Sequence, residues 1–173
     1  MKQESIRGKV ARKAYQTGFD YEKKYRGCGQ CSLAAIQETL GMVDETVFKA
    51  ATCFAGGIAL LGDGICGGYA GGVLFIGQVF GRDRSNFADP EKVIREKCYR
   101  FVEKLHDRFI QEYGTIYCRD IQTKIFGRSY YLKDPDQRMK FEEAGAHTYK
   151  CLDVVGKAAE WTVEIFTQEG HIK

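Results

Sequence analysis

Ile6, Val10, Ala14, Thr17 and Tyr21 fall on one helical face with Lys and Arg opposite, a spacing that predicts a helix over residues 5–25. Gly27 and Gly29, flanking Cys28, break it. Residues 30–40 (Q-C-S-L-A-A-I-Q-E-T-L) are rich in helix formers and stop at Gly41, a residue suited to the position just past a helix end. Asp44 is placed to cap a helix from Glu45 to about Phe54, with Val47, Phe48 and Ala51 on one side. The longest stripe is Ile94, Cys98, Phe101, Leu105 and Phe109; Asp89-Pro90-Glu91 is its start signal and Gly114 its end. Thr115 heads a short helix with Cys118, Ile121 and Ile125 before Gly127, and Asp134-Pro135-Asp136 opens another toward Phe141. His147, Cys151, Val154, Val155, Ala158, Trp161 and Ile165 line a final helix from about Ala146 to near Gly170. No alternating strand pattern appears. The expected fold is all-α, a single-domain bundle of about six to eight helices.

The centre of that bundle is assigned to residues 55–81, which hold ten of the twenty glycines and a single charge, Asp63. Glycine pairs at 67/68 and 71/72 recur every four residues, which on a helix makes a groove for another backbone. A buried Gly-rich central helix beginning near Cys66 follows. The uncharged run from Gly64 to Gly81 is eighteen residues, the lower limit for a membrane span, but seven are glycine and no second span exists to pack against it. No membrane association is expected. G-D-G-I-C-G matches the dinucleotide pattern by letter only: Asp63 would oppose a pyrophosphate and no βαβ unit surrounds it.

Composition adds little to the fold and something to the organisation. With 173 residues, 44% hydrophobic and 28% charged, the chain has the core of one domain. Its net charge of +3 comes from residues 1–26, which carry eight Lys/Arg against three Asp/Glu, while the remainder carries eighteen against twenty. No recognition motif accompanies this basic N-terminal helical arm, so it reads as a solvated face, with no nucleic-acid partner expected. The N-terminus lacks an apolar run of signal-peptide length, which points to a cytoplasmic protein.

Seven cysteines, at 28, 31, 53, 66, 98, 118 and 151, are many for such a compartment, where structural disulfides are rare. Metal binding or thiol chemistry is the leading explanation for so many, and residues 27–173 are expected to form a Cys-rich helical redox domain, one globular unit. Cys31, Cys66 and Cys118 fall in or near the first turn of expected helices, where free N–H groups and the helix dipole favour a thiolate. Gly64, Gly67 and Gly68 around Cys66 would let amides face the sulfurs of a bound cluster. Cys151 is expected mid-helix, with His147 one turn earlier as a supporting group. Cys53 and Cys98 read as core residues. Cys28-Gly-Gln-Cys31 lacks the strand of a thioredoxin-like dithiol, and Ser32 stands where covalent haem attachment needs histidine. Three classes stay open: an iron-sulfur electron carrier, a metal-free protein using low-pKa thiols for disulfide or sulfur transfer, and a helical module with or without structural zinc.

The ordered set Cys31-Ser-Leu-Ala-Ala-Ile, Phe54-Ala-Gly-Gly-Ile, Cys66-Gly-Gly-Tyr-Ala-Gly71, Cys118-Arg-Asp-Ile and Cys151 resembles the C-GCAxxG-C-C family of redox-active proteins, over about residues 25–167. The resemblance implies an all-helical domain with Cys31, Cys66, Cys118 and Cys151 as signature cysteines. It also suggests kinship with the cluster-bearing part of split-Soret cytochromes, dimers with haem and iron-sulfur sites. An iron-sulfur cluster on those four cysteines, no covalent haem, a redox partner protein and a homodimer are the resulting expectations. Gly68 replaces the family's alanine, and Cys28 adds a thiol beside Cys31.

Overall fold

In the computed structural model, which describes residues 6–170 apart from 89 and 91, the chain is a helical bundle. Its α-helices are α1 (Ile6–Tyr25), α2 (Cys28–Leu40), α3 (Glu45–Ala50), α4 (Gly67–Phe80), α5 (Val93–Tyr113), α6 (Cys118–Phe126), α7 (Pro135–Glu143) and α8 (Cys151–Gln168). Short 3-10 turns follow α3 and α4, and a π turn, Ala146–Lys150, precedes α8. Among the described residues the only strand-like pairing is an antiparallel bridge between Ile65 and Tyr117. No helix among them is long and apolar enough to cross a membrane.

The all-α expectation is met, and the end signals act as read. Gly41, Gly114 and Gly127 close α2, α5 and α6 in the left-handed conformation. Asp44 accepts from the amides of Thr46 and Val47, and Asp134 from those of Asp136 and Gln137. Three boundaries differ. α2 begins at Cys28, so Gly29 lies inside the helix. α5 begins at Val93; two residues of its expected start signal, Asp89 and Glu91, lie outside the described residues. Cys151 is not mid-helix but the first residue of α8, because the π turn at Gly145 interrupts the regular ladder before it.

α4 is the central element. Phe75 and Ile76 are fully buried, and Phe75, Phe80, Phe101 and Phe166 from α4, α5 and α8 form one aromatic cluster with ring centroids 4.3–5.4 Å apart. On its other side α4 meets α2 closely: a Cβ at Gly71 would lie 2.7 Å from Gly29 O and 2.8 Å from Leu33 N. α1 packs along α8, with Ala11 and Ala14 fully buried and Tyr15 Oη donating to Asp153 at 2.7 Å. A smaller core of Tyr130, Leu132, Phe141 and Ala146 joins α7 and the loop after α6 to the main body.

Between α3 and α4 the backbone makes a left-handed turn. Gly56, Gly57, Ile58, Ala59 and Leu60 have φ of 56, 70, 64, 48 and 66° in succession. Left-handed geometry costs a residue with a Cβ about 1–2 kcal/mol. The turn is held by Leu60 N–H to Ala55 O at 2.9 Å and Gly62 N–H to Gly56 O at 3.0 Å. Ala59 is exposed, so its methyl group contributes little burial. Ala59→Gly therefore stabilises the protein by about 0.5–1 kcal/mol after the entropy cost of glycine, a rise in Tm of about 1–4 °C by thermal melting.

A thiol-lined chamber as candidate functional site

Four helix starts converge beneath the left-handed turn. The stretch between Gly62 and Cys66 pairs with residues 116–119: Cys66 N–H donates to Ile116 O at 2.7 Å, Cys118 N–H to Gly64 O at 3.0 Å and Arg119 N–H to Gly62 O at 3.2 Å. This short ladder sets Cys66, the residue before α4, beside Cys118, the first residue of α6. Cys28 opens α2, and the π turn delivers Cys151 at the start of α8, with the amides of Thr148, Tyr149 and Lys150 all directed at Gly145 O.

The result is a cavity of about 270 Å³ with Cys28, Cys66, Cys118 and Cys151 in its walls. Ala55, Gly56 and Leu60 of the left-handed turn roof it, and Ile121, Leu132, Phe141 and Val154 make much of the remainder apolar. Cys31 is absent from this lining. It is buried one turn further along α2, its thiol donates to Arg26 O at 3.2 Å, and it borders a separate groove with Tyr21, Tyr25 and Phe48. Of the four cysteines expected to act together, the fold thus gathers Cys66, Cys118 and Cys151 and supplies Cys28 in place of Cys31. Cys53 is exposed and Cys98 half-buried, so only the latter fits its expected core role.

Polar groups aim at the sulfurs. Gly56 N–H lies 3.5 Å from Cys28 Sγ, and Gln122 Nε2, from a nearly fully buried side chain, lies 3.5 Å from Cys118 Sγ. The amide of Gly67 favours the Cys28 thiolate, and those of Gly68 and Tyr69 favour the Cys66 thiolate. Gly64 behaves otherwise than expected: its N–H is taken by Gly57 O at 3.1 Å, so it builds the ladder rather than facing a ligand. His147 lines the chamber but bonds to carboxylates, with Nδ1 2.7 Å from Glu142 Oε1 and Nε2 3.4 Å from Glu22 Oε1.

Burial outweighs these amides. It pushes the thiols of Cys66 and Cys118 up to about 12 and raises those of Cys28 and Cys151 as well, with each thiolate further disfavoured by its neighbours. First-turn placement therefore does not make them low-pKa nucleophiles. The chamber also contains Glu22, which sequence reasoning passed over because one acid among the lysines of α1 looks like an ordinary surface charge. It is 3% exposed, and burial pushes its carboxyl up from 4.5 to about 7, partly offset by the nearby Cys31 thiol and Arg26. The folded chain thus retains a proton that the unfolded chain releases. The protein loses stability as pH rises from about 4.5 to about 7, on the order of 3 kcal/mol from this group, and the contribution is level above that. Urea unfolding of wild type and Glu22→Gln across this range isolates it, since the variant lacks the slope.

These features define a helical protein with a buried, multi-thiol chamber built at helix N-termini. The family model described as "Putative redox-active protein (C_GCAxxG_C_C)" matches residues 27–165, and the chain belongs to that family. No curated protein and no solved structure matches it.

Proposed function

We infer that this redox-active protein carries an iron-sulfur cluster on Cys28, Cys66, Cys118 and Cys151 and exchanges single electrons with a partner protein. The observation that carries this reading is the convergence of four thiols from four helix starts on one cavity, with amide N–H groups turned toward the sulfurs. Neutral thiols buried together are unreactive at neutral pH, whereas a cationic centre stabilises them as thiolates and is stabilised by them. Among the described residues no three Cys, His, Asp or Glu side chains draw together as tightly as a single ion requires. When bound, such a cluster supplies one-electron chemistry; the chain's contribution is its thiolates, its amide donors and an apolar wall that limits water. Anaerobic purification followed by visible spectroscopy and assays for iron and acid-labile sulfide tests this. A brown protein with both elements supports it, and a colourless, metal-free protein after reconstitution overturns it.

A further inference from the structure

One turn after Cys118 on α6, among the apolar walls made by Ile121, Ile125 and Leu132, stands a glutamine. Gln122 is 3% exposed. A carboxamide taken out of water needs a partner for each end, and this one has both. Its Oε1 accepts the backbone N–H of Tyr130 at 2.8 Å, and its Nε2 reaches Cys118 Sγ at 3.5 Å. The first bond settles the second. A backbone N–H can only donate, so Oε1 must face Tyr130 and the NH2 group must face the sulfur. The helix sets the reach, because residues four apart share a face, and the loop after α6 fixes the rotation of the amide.

A neutral thiol is a weak acceptor, so a buried amide directed at one gains little, and an apolar side chain would fill the same wall at less cost. A thiolate reverses this, because hydrogen bonds to an ionised acceptor are about twice as strong. The glutamine therefore suits Cys118 as a thiolate, the state in which it would hold a metal. We propose that Gln122 is a positioning residue of the metal centre, whose Nε2–H group holds the Cys118 thiolate in place and raises the reduction potential of the bound cluster. The inference rests on the cluster reading above. N–H donors to ligand sulfur favour the more negative, reduced state, and outer partners of this kind are worth about 10–100-fold in metal affinity. At Cys28 and Cys66 the donors are backbone amides, of Gly56 and Gly67 and of Gly68 and Tyr69. At Cys118 the donor is a side chain, so one substitution can remove it.

The test is anaerobic reconstitution of wild type, Gln122→Met and Arg128→Ala with iron and sulfide, read by redox titration of the visible spectrum and by iron loss to a chelator. Methionine keeps the length of the side chain and removes the N–H. Gln122→Met titrates at a lower potential than wild type and holds iron about 10–100-fold less tightly. Arg128 packs over the Tyr130 ring at 4.6 Å and donates to Gln137 at 2.7 Å, so Arg128→Ala loosens the same loop without touching the amide or the sulfur, and it keeps wild-type values. A merely structural Gln122 would lower the urea midpoint of Gln122→Met and leave its potential where it was. A crystal structure of reconstituted wild type gives a reading that needs no variant to fold: Nε2 within hydrogen-bond distance of a metal-bound Cys118 Sγ supports the assignment, and Nε2 turned away overturns it. Equal potential and iron retention in wild type and Gln122→Met, or the same shift in Arg128→Ala, overturn the role of Gln122 and leave the cluster standing. Iron and sulfide absent from all three proteins overturn both.

Discussion

Cys28→Ser lowers the iron affinity of the reconstituted protein by well over tenfold, whereas Cys31→Ser leaves iron content and visible spectrum unchanged. The two thiols lie one turn apart on α2, yet only Cys28 opens onto the chamber; Cys31 faces Arg26 O and the outer groove. Loss of a direct ligand costs more than loss of an outer partner, which alone is worth about 10–100-fold in metal affinity. The amides distinguish the pair as well, since Gly56 N–H is directed at Cys28 Sγ. Iron and sulfide assays on both variants, with Cys53→Ser as an exposed control, decide the matter. The reverse pattern, iron lost in Cys31→Ser and kept in Cys28→Ser, would refute the assignment of the chamber thiols.

Sequence made the helices legible because their signals are local. Asp44 and Asp134 cap within three residues, and Gly41, Gly114 and Gly127 stop their helices in the left-handed geometry that glycine adopts at least cost. The chamber was legible in part. Cys66 and Cys118 stood out as helix-start cysteines, but the choice between Cys28 and Cys31 depends on where α2 begins. That start is fixed by tertiary contact: a Cβ at Gly29 would lie 2.9 Å from Ala51 O, so glycine at this helical position lets the 3-10 turn after α3 pack against it. Nothing local marks this, and glycine's low helix propensity argues against it. Cys151 and His147 were expected on one regular helix, and the π turn that separates them has no periodic signature. Glu22 was hidden for a related reason, since its burial comes from α2, α7 and the π turn, none of which its own helical face discloses.

Gly67→Ala expels Cys28 from the chamber and destabilises the protein by about 1–3 kcal/mol or more. Gly67 is the first residue of α4, and alanine suits a helix, so propensity alone predicts a mild gain. Space overrules it. The new Cβ would overlap Cys28 Sγ outright and lie 2.6 Å from Phe54 O and 2.8 Å from Gly29 N. Sulfur at the end of a side chain can rotate away, whereas the two backbone atoms cannot without shifting α2 or the 3-10 turn. Part of the cost is therefore relieved by removing the sulfur, and part is not. A double-mutant cycle separates them: urea unfolding shows Gly67→Ala costing less in a Cys28→Ala background than in wild type, yet still more than zero. Iron retention in Gly67→Ala falls as in Cys28→Ser, although every cysteine is present. Equal costs in both backgrounds would mean that Cys28 Sγ does not occupy the space against Gly67, and the chamber would lose its fourth thiol.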